Sequence, residues 1–504
     1  MRRSTQARGV SAWPPGAPAW ARGAAAWAAL GLAGSLLVAW CAPRALHDGV
    51  VGWWYQPGWP DGAATALIYV GMGALTVAWL GLGRSLPGRR GLLAIAALWI
   101  LPLALAPPLF SRDLYSYLAQ GTILHLGRSP YHVAPTVLAG LGHGHTLAAV
   151  SPFWRHTTAP YGPLFLELVS LIVGIVGSHL VAGVLVARAL ELVGLVLLAV
   201  FVPRLARALG TDAPRALWLT VASPLMCLAL VAAGHNDLLM TGLLAAGVAV
   251  ALEGRPLQGV AVCALAATIK VPALVGAVFI AVAWARTADD RAAAVRLLAA
   301  AVLVAGAVLA LVTLASGVGV SWLSASLFST PAKVRLAITP GTALGYTLAA
   351  LLHAVGVSVS SRGMESAVGE VAFGASVVIG LVALYRVRVG RLVALLGLVL
   401  LVAAAGGPAA WPWYFSWGLV LIAALRGWQR SRALAAALAI SAFLVKPNGV
   451  LAVPLGAAPA VVAVYLAIAG AAWSRWRRSS TRLDPGHPEP ARPESGTPPA
   501  LART

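Results

Sequence analysis

Acidic residues are scarce in this chain: Asp and Glu together number 15, against 36 Lys and Arg. Lysine is scarcer still, confined to Lys270, Lys333 and Lys446, and cysteine occurs only at Cys41, Cys227 and Cys263. Each cysteine lies inside an apolar run without metal-ligand spacing, which leaves no disulfide framework and makes core packing the default. No phosphate-cradling Walker loop, soluble nucleotide-binding domain or paired-aspartate metal motif is present. The net charge of +21 does not indicate nucleic acid, because no compact basic domain gathers it. The arginines sit instead in short connectors, such as Arg84, Arg89 and Arg90, and in the tail at Arg475, Arg477 and Arg478, as expected of cytoplasmic loops. What the chain does have is apolar sequence. With 60% hydrophobic residues, 10% charged residues and mean hydropathy +0.85, it reads as an all-α polytopic membrane protein.

Residues 1–22 form a cytoplasmic lead, and apolar runs follow near 24–42, 63–83 and 91–109. Trp40 before Cys41 is a poor cleavage context, so the first run is a retained span. The Arg84–Arg90 connector is placed inside, which puts Trp53, Trp54, Tyr55 and Trp59 outside as an interfacial aromatic belt. The third run delivers residues 110–163 to the outer face, a loop too long to be a mere connector. Arginine parity leaves either one crossing with a partial helix within 164–202, hinged near Gly177 and Ser178, or a connector that breaks the rule, and the partial helix is preferred; two half-spans within 257–285 that meet near Lys270 satisfy both flanks there. A single span near 216–233 precedes an outward GHND at 234–237. Residues 316–370 leave the parity open, with a surface helix carrying Lys333 and Arg335 within VSWLSASLFSTPAKVRLAITPG, before runs near 371–385, 391–405, 413–425, 432–445 and 450–473. The expectation is about 11–15 membrane segments. They divide into a catalytic module at 23–315 and a C-terminal module at 316–475, with a disordered cytoplasmic tail at 476–504.

The chemistry centres on FSRDLYSYLAQGTILHLGRSPY, residues 110–131. Ser111 can cap a helix on which Asp113, Tyr117 and Gln120 recur at i, i+4 and i+7, a helix read as lying on the bilayer surface. Asp113 suits either the first turn of that helix or a catalytic role. His235, Asn236 and Asp237 suit either a helix start or a site, and Lys270, in a Lys-x-Pro break, either snorkelling or phosphate binding. The segment SPFWRHTTAPYGP adds Arg155 and His156, and its Pro160, Gly162 and Pro163 fix a turn beside Tyr161. Trp413 and Tyr414 suit interface anchors or sugar platforms. Glu167 and Glu191, within apolar runs, call for pairing or function. Together these groups are the inventory needed to deprotonate a hydroxyl and stabilise a departing phosphate, and a lipid-borne sugar donor fits the absence of nucleotide motifs. A lipid-linked-sugar flippase would use similar charges, but it predicts an internal repeat that the sequence does not display.

The ordered set SRDLYSYLAQG, GRSPY, APYGP, GHNDLLMTGLLAAG, IKVPA and WPWYFSW resembles the actinobacterial polyprenol-phosphate-mannose-dependent α-1,6-mannosyltransferases. The resemblance runs from about residue 90 to 450. It implies a type-C glycosyltransferase-like helical bundle whose catalytic carboxylate lies on the large first outer loop, and it carries the general-base role onto Asp113. It also carries over His235, Asn236 and Asp237 without separate roles. The implied donor is polyprenyl-phosphate mannose, the acceptor a mannan or lipoglycan, and the product an α-1,6 linkage formed with inversion from a β-linked donor. Charge and ring chemistry place the donor phosphate near Lys270 and Arg112. They place the acceptor near Tyr161, Trp413 and Tyr414, with Tyr117 and Gln120 as further substrate contacts. No cofactor is expected, with divalent metal left open. The implied setting is the plasma membrane, with the active site on the extracytoplasmic face. Another polyprenyl-phosphate sugar is the alternative donor.

Overall fold

The structure, a computed structural model, describes residues 19–46, 53, 61–325, 339–407, 410–467 and 470. Trp54, Tyr55, Trp59, Lys333, Arg335 and the tail lie outside the described residues, as do most of the N-terminal lead and the aromatic-belt segment. Among the described residues the chain is all-α, with one isolated bridge between Val445 and Leu451.

Three helices open the fold: α1 (Ala19–Ala45), α2 (Asp61–Leu82) and α3 (Arg89–Leu105). The long loop at 110–163 follows with α4 (Asp113–His125) and the short α5 (Gly144–Ala149), then come α6 (Pro163–Val176) and α7 (Leu180–Ala208). Gly177, at φ 61°, makes the hinge between α6 and α7, where the expected partial helix meets a long one. Next come α8 (Ala213–Leu219), a π-helical segment Leu225–Ala232, α9 (Asp237–Leu252), α10 (Pro256–Ala267), α11 (Leu274–Ala285) and α12 (Arg291–Ser316). The chain continues through α13 (Ser321–Ser324), α14 (Pro340–Ala354), α15 (Ser361–Arg386), α16 (Leu392–Gly406), α17 (Ser416–Ile422) and α18 (Arg432–Ser441).

Six of these helices are long and apolar enough to cross a membrane. Two of them, α12 and α15, bury only 11% and 6% of their most apolar windows, and residues such as Leu303, Leu314 and Val371 stand more than 70% exposed. Bare apolar faces of this kind are stable where lipid is the solvent. Inside the bundle, glycines set how closely helices approach. A Cβ on Gly194 of α7 would lie 2.1 Å from the Leu238 carbonyl of α9, and one on Gly34 of α1 would lie 2.6 Å from that of Gly71 on α2.

Three expectations need correction. Helix α4 does not lie on a surface: it is buried from Asp113 to Ile123. Leu118 meets Gly183 of α7, Gly121 meets Val169 of α6, and Ala119 and Ile123 pack with Leu138 and Val150 of the long loop at 110–163. Its sequence permits this, since no charged residue follows Asp113 until the last turn. The run at 216–233 is broken rather than a single α-helix, because Thr220 and Ser223 turn their hydroxyls back onto the Ala216 and Thr220 carbonyls and Pro224 supplies no backbone donor. Finally, the polar stretch before residue 371 joins the next helix, α15. Ser360 caps its start by accepting from Gly363 N, and Glu365 is buried where α15 crosses Gly345 of α14.

Candidate active site

The segment leaving α3 is fixed from two sides before it reaches Asp113. Leu109 N donates to the Ala232 carbonyl at 3.1 Å, and Phe110 N donates to the Pro447 carbonyl at 2.9 Å. Among the described residues Phe110 is the only non-glycine with positive φ, at 66°. Such strain persists where surrounding contacts over-determine it. Ser111 Oγ then accepts from Asp113 N at 3.0 Å, and the carboxylate enters the first turn of α4, where the helix dipole favours it.

Asp113 Oδ2 stands 3.2 Å from His235 Nδ1. His235 follows Gly234, whose φ is 73° and whose missing side chain leaves room for Leu114 of α4. The imidazole stacks on Trp413 at 3.8 Å between ring centroids, and Trp413 stacks on Trp411. Burial, the largest influence on Asp113, acts upward on its pKa. The contact with His235, the Ser111 hydroxyl and the charge of Lys270 together outweigh it and hold the pKa below the ordinary aspartate value.

Asp237 opens α9 and is fully buried. Its carboxylate accepts from Lys270 Nζ at 2.8 and 2.9 Å and from Trp417 Nε1 at 2.5 Å. Lys270 sits in extended backbone where α10 gives way to α11, the break expected of its Lys-x-Pro setting. Its ammonium also lies 4.5 Å from the centre of the Tyr414 ring. The Tyr161-Gly162-Pro163 turn docks on this break, with Gly162 N donating to the Ile269 carbonyl at 3.0 Å. Tyr161 thereby meets Tyr117 and Phe165 in edge-to-face contacts, and the Tyr117 hydroxyl accepts from Asn236 N at 3.4 Å. Burial above all, reinforced by nearby carboxylates, raises the Tyr117 and Tyr161 phenols well above their ordinary values, so both remain hydrogen-bond donors rather than bases.

The fold thus brings together Asp113, Tyr117, Tyr161, His235, Asn236, Asp237, Lys270, Trp413 and Tyr414, drawn from five separate stretches of sequence. Arg112 turns toward α5, where Nε donates to the Ala149 carbonyl at 2.7 Å, and its guanidinium lies over Tyr115. Gln120 is buried two turns along α4. Sequence reasoning missed Trp417, although its spacing from Trp413 and Tyr414 puts it on the same helical side. It also missed Arg188, fully buried in α7, which donates to the carbonyls of Ala104, Ala106 and Ala232 at 2.8, 2.6 and 3.1 Å. That one guanidinium ties the end of α3, which leads to Asp113, to the segment that leads to His235. A lone arginine in an apolar run was the available signal.

The candidate site is thus two buried carboxylates, a lysine and stacked aromatic rings gathered inside a helical bundle that carries six helices long and apolar enough to cross a membrane. The sequence profile described as "Alpha-(1->6)-mannopyranosyltransferase, N-terminal domain" matches residues 20–286, and that of the "MptB C-terminal domain" matches residues 339–476. Alpha-(1->6)-mannopyranosyltransferase A of Mycobacterium tuberculosis is 35% identical over 410 residues, covering 77% of this chain and 76% of the relative. A probable alpha-(1->6)-mannopyranosyltransferase of Mycolicibacterium smegmatis is 35% identical over 424 residues, covering 74% and 73%. Alpha-(1->6)-mannopyranosyltransferase B of Corynebacterium glutamicum is 29% identical, covering 78% and 70%. No solved structure matches the chain. The chain belongs to the alpha-(1->6)-mannopyranosyltransferase family, and it is a membrane glycosyltransferase that transfers mannose from a donor to a glycan acceptor.

Proposed function

We propose that this enzyme moves mannose from a polyprenyl-phosphate mannose to a mannan or lipoglycan acceptor, forming an α-1,6 linkage with inversion at the extracytoplasmic face of the plasma membrane. The observation that carries the assignment of roles is a difference in exposure. Asp113 and Lys270 retain 12% and 13% of their side-chain surface, while their partners His235 and Asp237 retain none. The two open groups are therefore the ones a substrate can reach, and the two sealed groups position them.

Asp113, ionised and held by His235, accepts the proton of an acceptor hydroxyl as that oxygen attacks the anomeric carbon. The bond from that carbon to the phosphate oxygen breaks on the opposite side, and polyprenyl phosphate leaves toward the Lys270 ammonium. A single displacement needs one base and no covalent intermediate, and it turns a β-linked donor into an α-linked product. Lys270 supplies the positive charge, so the scheme requires no metal or other cofactor. Trp413 and Tyr414 border the acceptor position with their ring faces engaged by His235, Trp411, Trp417 and Lys270, and Tyr161 and Tyr117 stand beside them as phenolic donors.

The test is transfer of labelled mannose from polyprenyl-phosphate mannose to a short α-1,6-linked mannose acceptor, in membranes holding the parent or Asp113→Asn at equal level. Removing the base is expected to lower the rate by about 10²–10⁴-fold, with the parent's product α-1,6-linked. Full activity in the variant would move the base to another group, and a parent inactive with verified substrates would sink the donor assignment.

A further inference from the structure

Helix α11 begins beside Lys270 and ends at Arg286, while α16 begins beside Arg391 and leads on toward Trp411 and Trp413. With 12 and 15 residues, they carry the chain about 18 and 22 Å away from the active site. Where their far ends converge with the end of α15, a cavity of about 500 Å³ is lined by Arg286, Tyr385, Arg386, Arg388 and Arg391. Four of its five lining residues are guanidinium bearers and none is acidic.

One wall of this open cavity is ordered by hydrogen bonds. Arg286 NH1 donates to the carbonyls of Tyr385 and Val387 at 2.6 and 2.8 Å, and its guanidinium lies 5.8 Å from the centre of the Tyr385 ring. Arg388 NH1 donates to the same Val387 carbonyl at 3.1 Å. The Arg286 bonds tie its guanidinium to the end of α15, and the exposed Arg386, Arg388 and Arg391 add three more cations at the adjoining helix ends. Among the described residues none of the four pairs with a carboxylate. The nearest acids along the chain are Asp289 and Asp290, just before α12. Neither lines the cavity, and Asp290 is occupied in capping α12 through Ala293 N. The positive charge is therefore left for a ligand to neutralise.

The surroundings identify the class of ligand. Arg386 and Arg391 stand at the ends of α15 and of the span that includes α16, both long and apolar enough to cross a membrane, so the cavity lies at headgroup level. Directly along α15 from it, Tyr385, Leu381 and Val378 are 77%, 61% and 59% exposed, an apolar track on which acyl chains can lie. A soluble anion would use the guanidiniums alone, whereas a lipid uses both the charges and the track. We propose that this cavity binds the headgroup of an anionic phospholipid carrying two phosphates, at the membrane face opposite the active site. Four guanidiniums match two phosphates, each able to take paired N–H donors. Occupancy ties the end of α11 to the α15–α16 connector and so braces the two helices that hold Lys270 and Trp413 at their other ends. The proposal rests on the fold and not on the identity of the sugar donor.

The test is the thermal stability of the purified full chain in detergent, with added cardiolipin, phosphatidylcholine or inorganic pyrophosphate. The parent is compared with the double variant Arg386→Gln/Arg391→Gln, which leaves the Arg286 bonds in place. Cardiolipin is expected to raise Tm by at least about 2 °C in the parent, with most of that shift lost in the double variant and none produced by phosphatidylcholine. Native mass spectrometry should show retained cardiolipin on the parent and much less on the variant. An equal shift in both proteins, no shift in the parent, or a full shift from pyrophosphate alone would each overturn the lipid assignment.

Discussion

The two ends of α11 carry a cation against a tyrosine ring, yet they are built on opposite principles. At one end Lys270 lies over Tyr414 and is locked onto the buried Asp237 carboxylate, which Trp417 also holds. At the other, Arg286 lies over Tyr385 with carbonyls as its hydrogen-bond acceptors and three further arginines beside it. A carbonyl orients a guanidinium without cancelling its charge, whereas a carboxylate does both. The active-site end is thus a compensated pair with one accessible ammonium, suited to meeting charge that appears during a reaction. The opposite end is an uncompensated field, suited to holding an anion at rest.

Breaking the compensated pair should have the largest effect in the protein. Lys270→Met leaves a fully buried carboxylate with the Trp417 indole as its remaining donor, and loss of one partner of a buried pair costs about 3–5 kcal/mol. We expect a sharp drop in the thermal stability of the purified chain and no measurable mannose transfer. The double variant Lys270→Met/Asp237→Asn removes both charges, so stability should return in large part while transfer does not. If activity returned along with stability, Lys270 would be a structural cation and the contrast between the two ends of α11 would lose its functional meaning.

A smaller effect should follow from disturbing what docks on the Lys270 break. A Cβ on Gly162 would lie 2.1 Å from the Thr268 carbonyl, and that atom belongs to backbone and cannot swing aside. Gly162→Ala should therefore push the Tyr161 turn off the end of α10, at a cost of about 1–3 kcal/mol. Because Tyr161 and Lys270 then separate, kcat/KM should fall more than the melting temperature suggests, and Gly140→Ala, in open surroundings on the same long loop, should change neither. Equal behaviour of the two variants would remove the docking contact from the argument.

Much of this site was legible as residue types and little of it as pairings. Asp113, the HND triplet, Lys270 and the Trp413-Tyr414 pair could be picked out because polar groups are rare in so apolar a chain. The break at Lys270 was readable because proline two residues on cannot continue a helix's hydrogen-bond ladder. That Asp237 belongs to Lys270, and Asp113 to His235, depends on helix approaches set by glycines at 194, 234 and 242, which local periodicity does not report. The burial of α4 was missed for a related reason. A helix with small and aromatic residues around its whole circumference has the same i, i+4 face whether it rests on a membrane or is enclosed by neighbours. Arg188 went unnoticed beside Glu191 because its partners are carbonyls, and carbonyls leave no mark in a sequence.

The smallest expected effect concerns pH, and it separates the two ends of α11 by a different route, since the lining of the arginine cavity contains no histidine or carboxylate. Asp113 has its pKa lowered, so it is ionised above that value and is protonated only as pH falls through it. Whatever rate and stability it contributes are therefore present at neutral pH and above, and are lost on the acid side as pH falls through that lowered value. The buried Tyr117 and Tyr161 phenols, raised well above their ordinary values, add no loss on the alkaline side short of that range. His235 is among the groups that hold Asp113 down, against a burial effect that acts upward. His235→Phe keeps a ring to stack on Trp413 but removes the nitrogen facing the carboxylate. The acid limb of kcat/KM should then move to higher pH, with the plateau rate changed far less than in Asp113→Asn. An acid limb that stayed in place would mean that the titrating group is not Asp113, and the positioning role of the sealed imidazole would fall with it.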